Sequence, residues 1–285
     1  MYLTRTLRAA LIVVLTGSVA SAQQWTLKYP EPAADGWSVT KNVAFAPVDE
    51  RSGGANLQMD VYRPTQTGGA LPAIIFYTMY WPADGPSPRS SSNWFTSWAR
   101  LAAANGIVAI LPDLRAEPGT GTAEQPTRAL GDDFQRLVAH LTAHAGDYGL
   151  DAGRIGVFAE SGSTWPALAA VEDPSQHDIK AAVMYYGSAN IDTFRRDLPL
   201  LWIRAGLDSP KTNAGIARLF ALALTQNAPV AVVNHPTGRH GFEGRDDDAV
   251  TRDVIDQTLA FFKRTTAADF QAAMKRGAAA QPSKQ

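Results

Sequence analysis

In the segment Arg154-Ile155-Gly156-Val157-Phe158-Ala159-Glu160-Ser161-Gly162-Ser163-Thr164-Trp165, an apolar run without polar alternation leads directly into a serine set among small residues. Such a run is the pattern of a strand covered on both faces. A candidate helix at 163–171 follows at once. A strand that turns sharply into a helix through a serine presents its hydroxyl at the carboxyl edge of a sheet. The backbone doubles back there, so the positions two before and two after the serine must be small. Here they are Ala159 and Ser163, where the strict pattern has glycine at both. The alternative role for Ser161 is a helix N-cap, a common position for serine.

Outward from this segment the same unit repeats. Apolar runs at Ala73 to Tyr77, Ile107 to Leu111, Ala181 to Tyr185, Leu200 to Ala205 and Val230 to Val233 alternate with candidate helices near 92–104, 128–145, 213–226 and 247–264. Strand-helix alternation implies a mostly parallel sheet with helices on both faces. Before it, Val39 to Ala46 and Leu57 to Tyr62, separated by a turn at Ser52-Gly53-Gly54, read as an antiparallel lead-in, which brings the sheet to about eight strands. No repeat or composition shift marks a second domain, and the 187–199 connection is too short for a cap domain. One α/β domain is expected over 23–265, followed by a tail at 266–285 that holds a short helix at Ala267 to Arg276 and then frays.

Composition narrows the chemistry. Of 285 residues, 26 are basic and 27 acidic, a net charge of −1 that offers no global attraction for nucleic acid or an anionic membrane; small or neutral substrates fit better. The chain has no cysteine, which removes disulfides, thiolate metal sites and a thiol nucleophile. Residues 1–22 carry Arg5 and Arg8, an apolar run from Ala9 to Leu15, and Ala20-Ser21-Ala22 before Gln23, the layout of a secretory signal peptide cleaved near Ala22. The apolar run is far short of the roughly 20 residues that cross a bilayer. Loss of this leader takes two positive charges with it, from −1 to −3, and leaves a mature protein expected in the periplasm or outside the cell, with no membrane partner.

Chain order adds two candidates to Ser161. In a sheet of this kind a carboxylate follows a later strand and a histidine follows the next, in the order Ser, acid, His. Asp208 follows Leu200 to Ala205 in a Gly-Leu-Asp turn, and His240 follows Val230 to Val233 in a glycine-flanked loop. Open α/β sheets place their sites at these carboxyl ends. His235 also follows a strand, but His240, with glycine on both sides of its loop, is preferred; Asp113 ends a strand but precedes Ser161, and its expected role is structural. His140 and His144 stand four apart on a candidate helix, but Leu141 occupies the position where a zinc-protease helix has glutamate, so a packed or surface pair is expected and no metal. Asp246, Asp247 and Asp248 sit where the last helix begins, where carboxylates favour the dipole.

Ile110-Leu-Pro-Asp-Leu-Arg115, Tyr148-Gly-Leu-Asp-Ala-Gly-Arg-Ile-Gly-Val157, Gly206-Leu-Asp208 and His240-Gly-Phe242 together make the chain resemble the α/β-hydrolases, close to the dienelactone-hydrolase-like and prolyl-oligopeptidase-like esterases and peptidases. The resemblance implies Ser161 as nucleophile, His240 as base and Asp208 as the group that orients His240, with no cofactor. A dienelactone hydrolase would carry cysteine where this chain has Ser161. Gly162 is the expected first oxyanion donor through its backbone N–H. The second lies near Thr78-Met79-Tyr80-Trp81, where lipase-like relatives carry His-Gly-Gly-Gly: either a backbone N–H of Thr78 or Met79, or the Tyr80 hydroxyl, as in prolyl-oligopeptidase-like enzymes. Trp81 and Trp165 flank the two halves of that site and are candidates for an apolar pocket wall, ordinary packing being the alternative. The loop 117–126, rich in glycine and proline, is expected over the same face. The implied activity is hydrolysis of small-molecule carboxylic esters. A peptidase and a non-catalytic binding protein of the same fold are the other readings.

Overall fold

The computed structural model describes residues 25–47, 56–65, 68–80, 89, 92–115 and 128–279. The leader at 1–22, the turn at 52–54, Trp81, the loop 117–126 and the end of the tail beyond 279 lie outside them. Eight strands form one sheet: β1 (Trp37–Ala46), β2 (Leu57–Pro64), β3 (Leu71–Phe76), β5 (Val108–Pro112), β7 (Leu150–Glu160), β8 (Ile179–Tyr185), β9 (Leu200–Ala205) and β10 (Val230–His235). Their spatial order is β1-β2-β5-β3-β7-β8-β9-β10, and two short segments, β4 (Met79–Tyr80) and β6 (Leu114–Arg115), pair separately. β1 and β2 are antiparallel to their neighbours, and every pairing from β5 to β10 is parallel.

Helices cover both faces. α1 (Asn93–Ala104) and α6 (Ala249–Thr265) pack on one side, where Trp98, Ala102, Ile255 and Phe262 meet Phe158, Val183 and Ile203 of the sheet. α2 (Arg128–Ala143), α4 (Thr164–Glu172) and α5 (Pro210–Thr225) pack on the other, against Ile155, Val157, Met184 and Trp202. Along β7 the two sets alternate residue by residue, because successive strand side chains point to opposite faces. Both faces are apolar, so no polar alternation survives in the sequence. A single turn, α3 (Ala145–Tyr148), joins α2 to β7, and α7 (Ala268–Ala279) follows α6.

The helix starts explain several residues with competing readings. Ser92, Ser209 and Asp248 each accept a hydrogen bond from the backbone N–H three residues on, satisfying donors that the first turn leaves without intrahelical partners. Asp248 accepts from Thr251 at 2.7 Å and Asp247 pairs with Arg252 at 2.5 Å, so these two acids serve the entry to α6. Asp113 accepts from Arg89 at 2.7 Å, and the same guanidinium reaches the buried Asp60 at 2.6 Å. His140 stacks on His144 with ring centroids 4.5 Å apart, and its Nε2 meets the Tyr148 hydroxyl at 2.7 Å. Among the described residues no cluster of three or more metal-ligating side chains occurs, and no helix is long and apolar enough to cross a membrane.

Candidate active site

Ser161 stands where β7 ends, at φ +49°, and a 3-10 turn over Ser161–Ser163 carries the chain into α4. An L-residue in this left-handed conformation costs on the order of 1 kcal/mol, so surrounding packing must enforce it. Part of that packing comes from Gly187 at the exit of β8. A Cβ on Gly187 would lie under 3.0 Å from both the Ser161 carbonyl oxygen and Thr164 Oγ1. The Gly187 carbonyl is held in turn by the Trp202 indole N–H at 2.9 Å. Ala159 is fully packed within the sheet, and Ser163 is buried inside the turn.

Two loops converge on Ser161 from neighbouring strands. After β9 the chain turns through Gly206-Leu207-Asp208, and after β10 it turns through residues 236–240. Gly206 N–H donates to the His235 carbonyl at 2.8 Å and Leu207 N–H to the Gly238 carbonyl at 2.9 Å, so the two loops are tied by backbone bonds. Asp208 Oδ1 accepts from the Ser209 N–H at 2.6 Å, which aims Oδ2 at His240 Nδ1, 2.7 Å away. His240 Nε2 stands 2.7 Å from Ser161 Oγ. An acidic partner at Nδ1 places the ring proton there and leaves Nε2 as the acceptor facing the serine hydroxyl. The Asp208 side chain is 6% exposed and the His240 side chain 47%, so the acid is enclosed while the imidazole opens to solvent. The structure thus brings Ser161, Asp208 and His240 together. His235 is elsewhere: fully buried, its Nε2 meets Thr251 Oγ1 at 3.0 Å, and its ring packs on Phe242.

Behind this row lies a group that the sequence reading missed. The Tyr186 hydroxyl is 2.5 Å from Glu243 Oε1 and 3.1 Å from Glu160 Oε2. Glu160 immediately precedes Ser161, Glu243 lies three residues after His240, and the Tyr186 ring packs on the His240 ring at 4.6 Å. Burial is the first cause that lifts both carboxyls above the ordinary range, and for Glu243 the nearby Glu160 charge adds to it. One hydroxyl has one proton. It can satisfy one carboxylate, so the pair must hold a further proton, donated to the tyrosine oxygen or to the other carboxyl, which is also within hydrogen-bond reach. The only signal in sequence was an acid beside the serine and another shortly after the histidine.

The row opens on a cavity of about 730 Å³, lined by Ser161, Gly162, Trp165 and His240 among others. Trp165 is partly exposed there. On the other side of the expected oxyanion site, Thr78 N–H already donates to the Phe76 carbonyl at 2.8 Å and Thr78 Oγ1 to the Pro112 carbonyl at 2.6 Å, so that N–H is occupied. Met79 and Tyr80 form β4, paired with Leu114 and Arg115. Trp81 lies outside the described residues.

No family model matches the sequence, and no curated protein matches it either. Solved structures do. A bacterial heroin esterase superposes with a TM-score of 0.62 at 15% identity, over 82% of this chain and 86% of that one. Brefeldin A esterase, a bacterial homologue of human hormone-sensitive lipase, gives 0.63 at 16% identity, over 81% and 78%. A Klebsiella pneumoniae protein described as a candidate dienelactone hydrolase gives 0.60 at 17% identity, over 80% of this chain and 99% of its own. Together with the strand order, these similarities identify the architecture as the α/β-hydrolase fold.

Proposed function

We propose that the chain is an exported serine hydrolase that cleaves carboxylic esters of small molecules. One observation carries the reading: a continuous hydrogen-bonded row from Asp208 through His240 to Ser161, both links 2.7 Å, with the serine held at a strained strand-to-helix turn beside an open cavity. The esterase activity of several proteins with this fold supports the substrate class.

In this mechanism His240 Nε2 takes the Ser161 proton as Oγ attacks the ester carbonyl. Asp208 stabilises the imidazolium, which then protonates the leaving alcohol. Water, deprotonated by the same histidine, releases the acid. The Gly162 N–H is the first donor to the tetrahedral oxyanion, and removal of one such donor typically costs about 3 kcal/mol of barrier. The second donor is assigned to the Met79-Tyr80 segment, since the Thr78 N–H is already bonded. Trp165 forms one wall of the acyl or alcohol pocket. Export rests on the pattern of residues 1–22, and sequencing the N-terminus of the protein recovered from outside the cytoplasm tests it.

The hydrolase reading is tested by labelling the mature protein with a fluorophosphonate probe beside Ser161→Ala and His240→Ala. The expected result is covalent modification mapped to the Ser161 peptide and absent from both variants. A well-folded wild type that takes no label would overturn it in favour of a binding protein.

A further inference from the structure

The cavity that receives Ser161 and His240 is lined by two cationic side chains as well. Lys211, Gly215 and Arg218 of α5 all line it. These positions are four and then three residues apart, so they share one face of the helix. Gly215 lets that face approach closely: a Cβ there would stand 2.6 Å from Ser188 Oγ and 2.7 Å from Ser188 Cβ. The helix backbone therefore presses on the segment after β8, and the long side chains before and after the glycine border the cavity it leaves. Along the helix axis they are separated by about 10 Å at 1.5 Å per residue.

No acid matches these cations. The described lining holds Lys211 and Arg218 and no carboxylate; Asp208, which orients the histidine, is enclosed and bonded to His240. Arg218 Nη2 donates to the Ala189 carbonyl at 2.6 Å, which leaves the other donors of the guanidinium without a described partner. Lys211 makes no hydrogen bond or ion pair among the described residues. It is also the second residue of α5, where a cation opposes the helix dipole, so helix stability does not account for it. Ser188, Asn190 and Thr212 add neutral polar groups to the same lining. A net charge of −1 for the whole chain conceals this local field, because a cleft concentrates the potential of the charges that line it.

We propose that the preferred substrates are esters carrying a carboxylate remote from the scissile bond, with Lys211 and Arg218 receiving that carboxylate. The inference rests on the hydrolase reading above and names its substrate class. Guanidinium and ammonium groups in one cleft suit a carboxylate, the first as a two-pronged donor and the second as a mobile point charge.

The test compares matched ester pairs, corrected for spontaneous hydrolysis. For the acyl arm the pair is mono-4-nitrophenyl suberate against its methyl-capped diester. For the alcohol arm it is 4-acetoxybenzoate against methyl 4-acetoxybenzoate. In at least one arm kcat/KM for the carboxylate member is expected to exceed that of the neutral member by about tenfold, an advantage that shrinks as salt rises. Lys211→Gln, which breaks no hydrogen bond or ion pair among the described residues, is expected to lower the ratio several-fold, Lys211→Gln/Arg218→Gln to abolish it, and Lys211→Glu to invert it. Neutral esters turned over at least as well as carboxylates in both arms would overturn the inference while leaving the hydrolase reading intact. So would a carboxylate preference that survives all three variants. A wild type inert to both pairs and to the fluorophosphonate probe would remove the hydrolase reading and this inference with it.

Discussion

Glu243→Gln tests the buried acid pair through the pH dependence of stability. In the folded protein the Tyr186 hydroxyl supplies one proton to two carboxyl groups, at 2.5 and 3.1 Å, so the pair holds one further proton to avoid an oxygen-oxygen contact without hydrogen. An unfolded glutamate loses its proton near pH 4.3. Above that pH the folded state binds more protons than the unfolded state, and stability falls as pH rises. One retained proton corresponds to about 1.4 kcal/mol per pH unit, so between pH 5 and 7 the pair lowers stability by on the order of 3 kcal/mol. The glutamine amide donates to the tyrosine oxygen at any pH, and Glu160 then accepts the tyrosine proton as a carboxylate. The variant is therefore expected to lose most of this slope. Urea unfolding of both proteins at pH 5, 6, 7 and 8 measures it, and the difference between them is the readout, because Glu172, which burial pushes up to about 7, titrates alike in both. Parallel stability curves for variant and wild type would refute the shared proton.

Gly187→Ala forces a methyl group against the Ser161 carbonyl and Thr164; a loss of about 1–3 kcal/mol and a fall in fluorophosphonate labelling are expected, and unchanged melting and labelling would show that the turn does not depend on this contact. Arg89→Met leaves Asp60, which is 2% exposed, without its cation and with the Asn42 N–H as a remaining donor, and removes the tie to Asp113; a destabilisation of about 3–5 kcal/mol is expected in urea, and an unchanged midpoint would argue against the ion pair. Asp248→Ala removes the N-cap of α6 at a cost of about 1 kcal/mol near neutral pH. The Thr251 N–H holds the Asp248 carboxyl below the usual aspartate range, so its contribution is present above that range and lost as pH falls through the lowered value. A penalty that grows on acidification would contradict that sign.

Much of the architecture was legible because burial on two faces leaves a local mark. The expected Leu200 to Ala205 run is β9, and the run expected at Val230 to Val233 is the front of β10. Ends were less legible. β7 begins at Leu150 rather than Arg154, since Asp151, Ala152 and Gly153 carry no apolar signal. The two-residue strands β4 and β6 had no pattern long enough to read.

The sequence by itself determined the order of sheet and helix and the places of Ser161, Asp208 and His240 after β7, β9 and β10, since strand-helix alternation and chain order are one-dimensional properties. Glycines on both sides of its loop already favoured His240 over His235 in the sequence, and only the tertiary structure shows where each ring points. His235 is the last residue of β10 and turns its ring inward to Thr251, whereas His240, in the loop beyond the strand, reaches Ser161. Tertiary structure alone likewise brings together Glu160, Tyr186 and Glu243, which come from three different strand ends, and sets Lys211 and Arg218 along the cavity where Gly215 lets α5 approach Ser188. Proximity between distant segments is set by packing, and no local pattern in the chain encodes it.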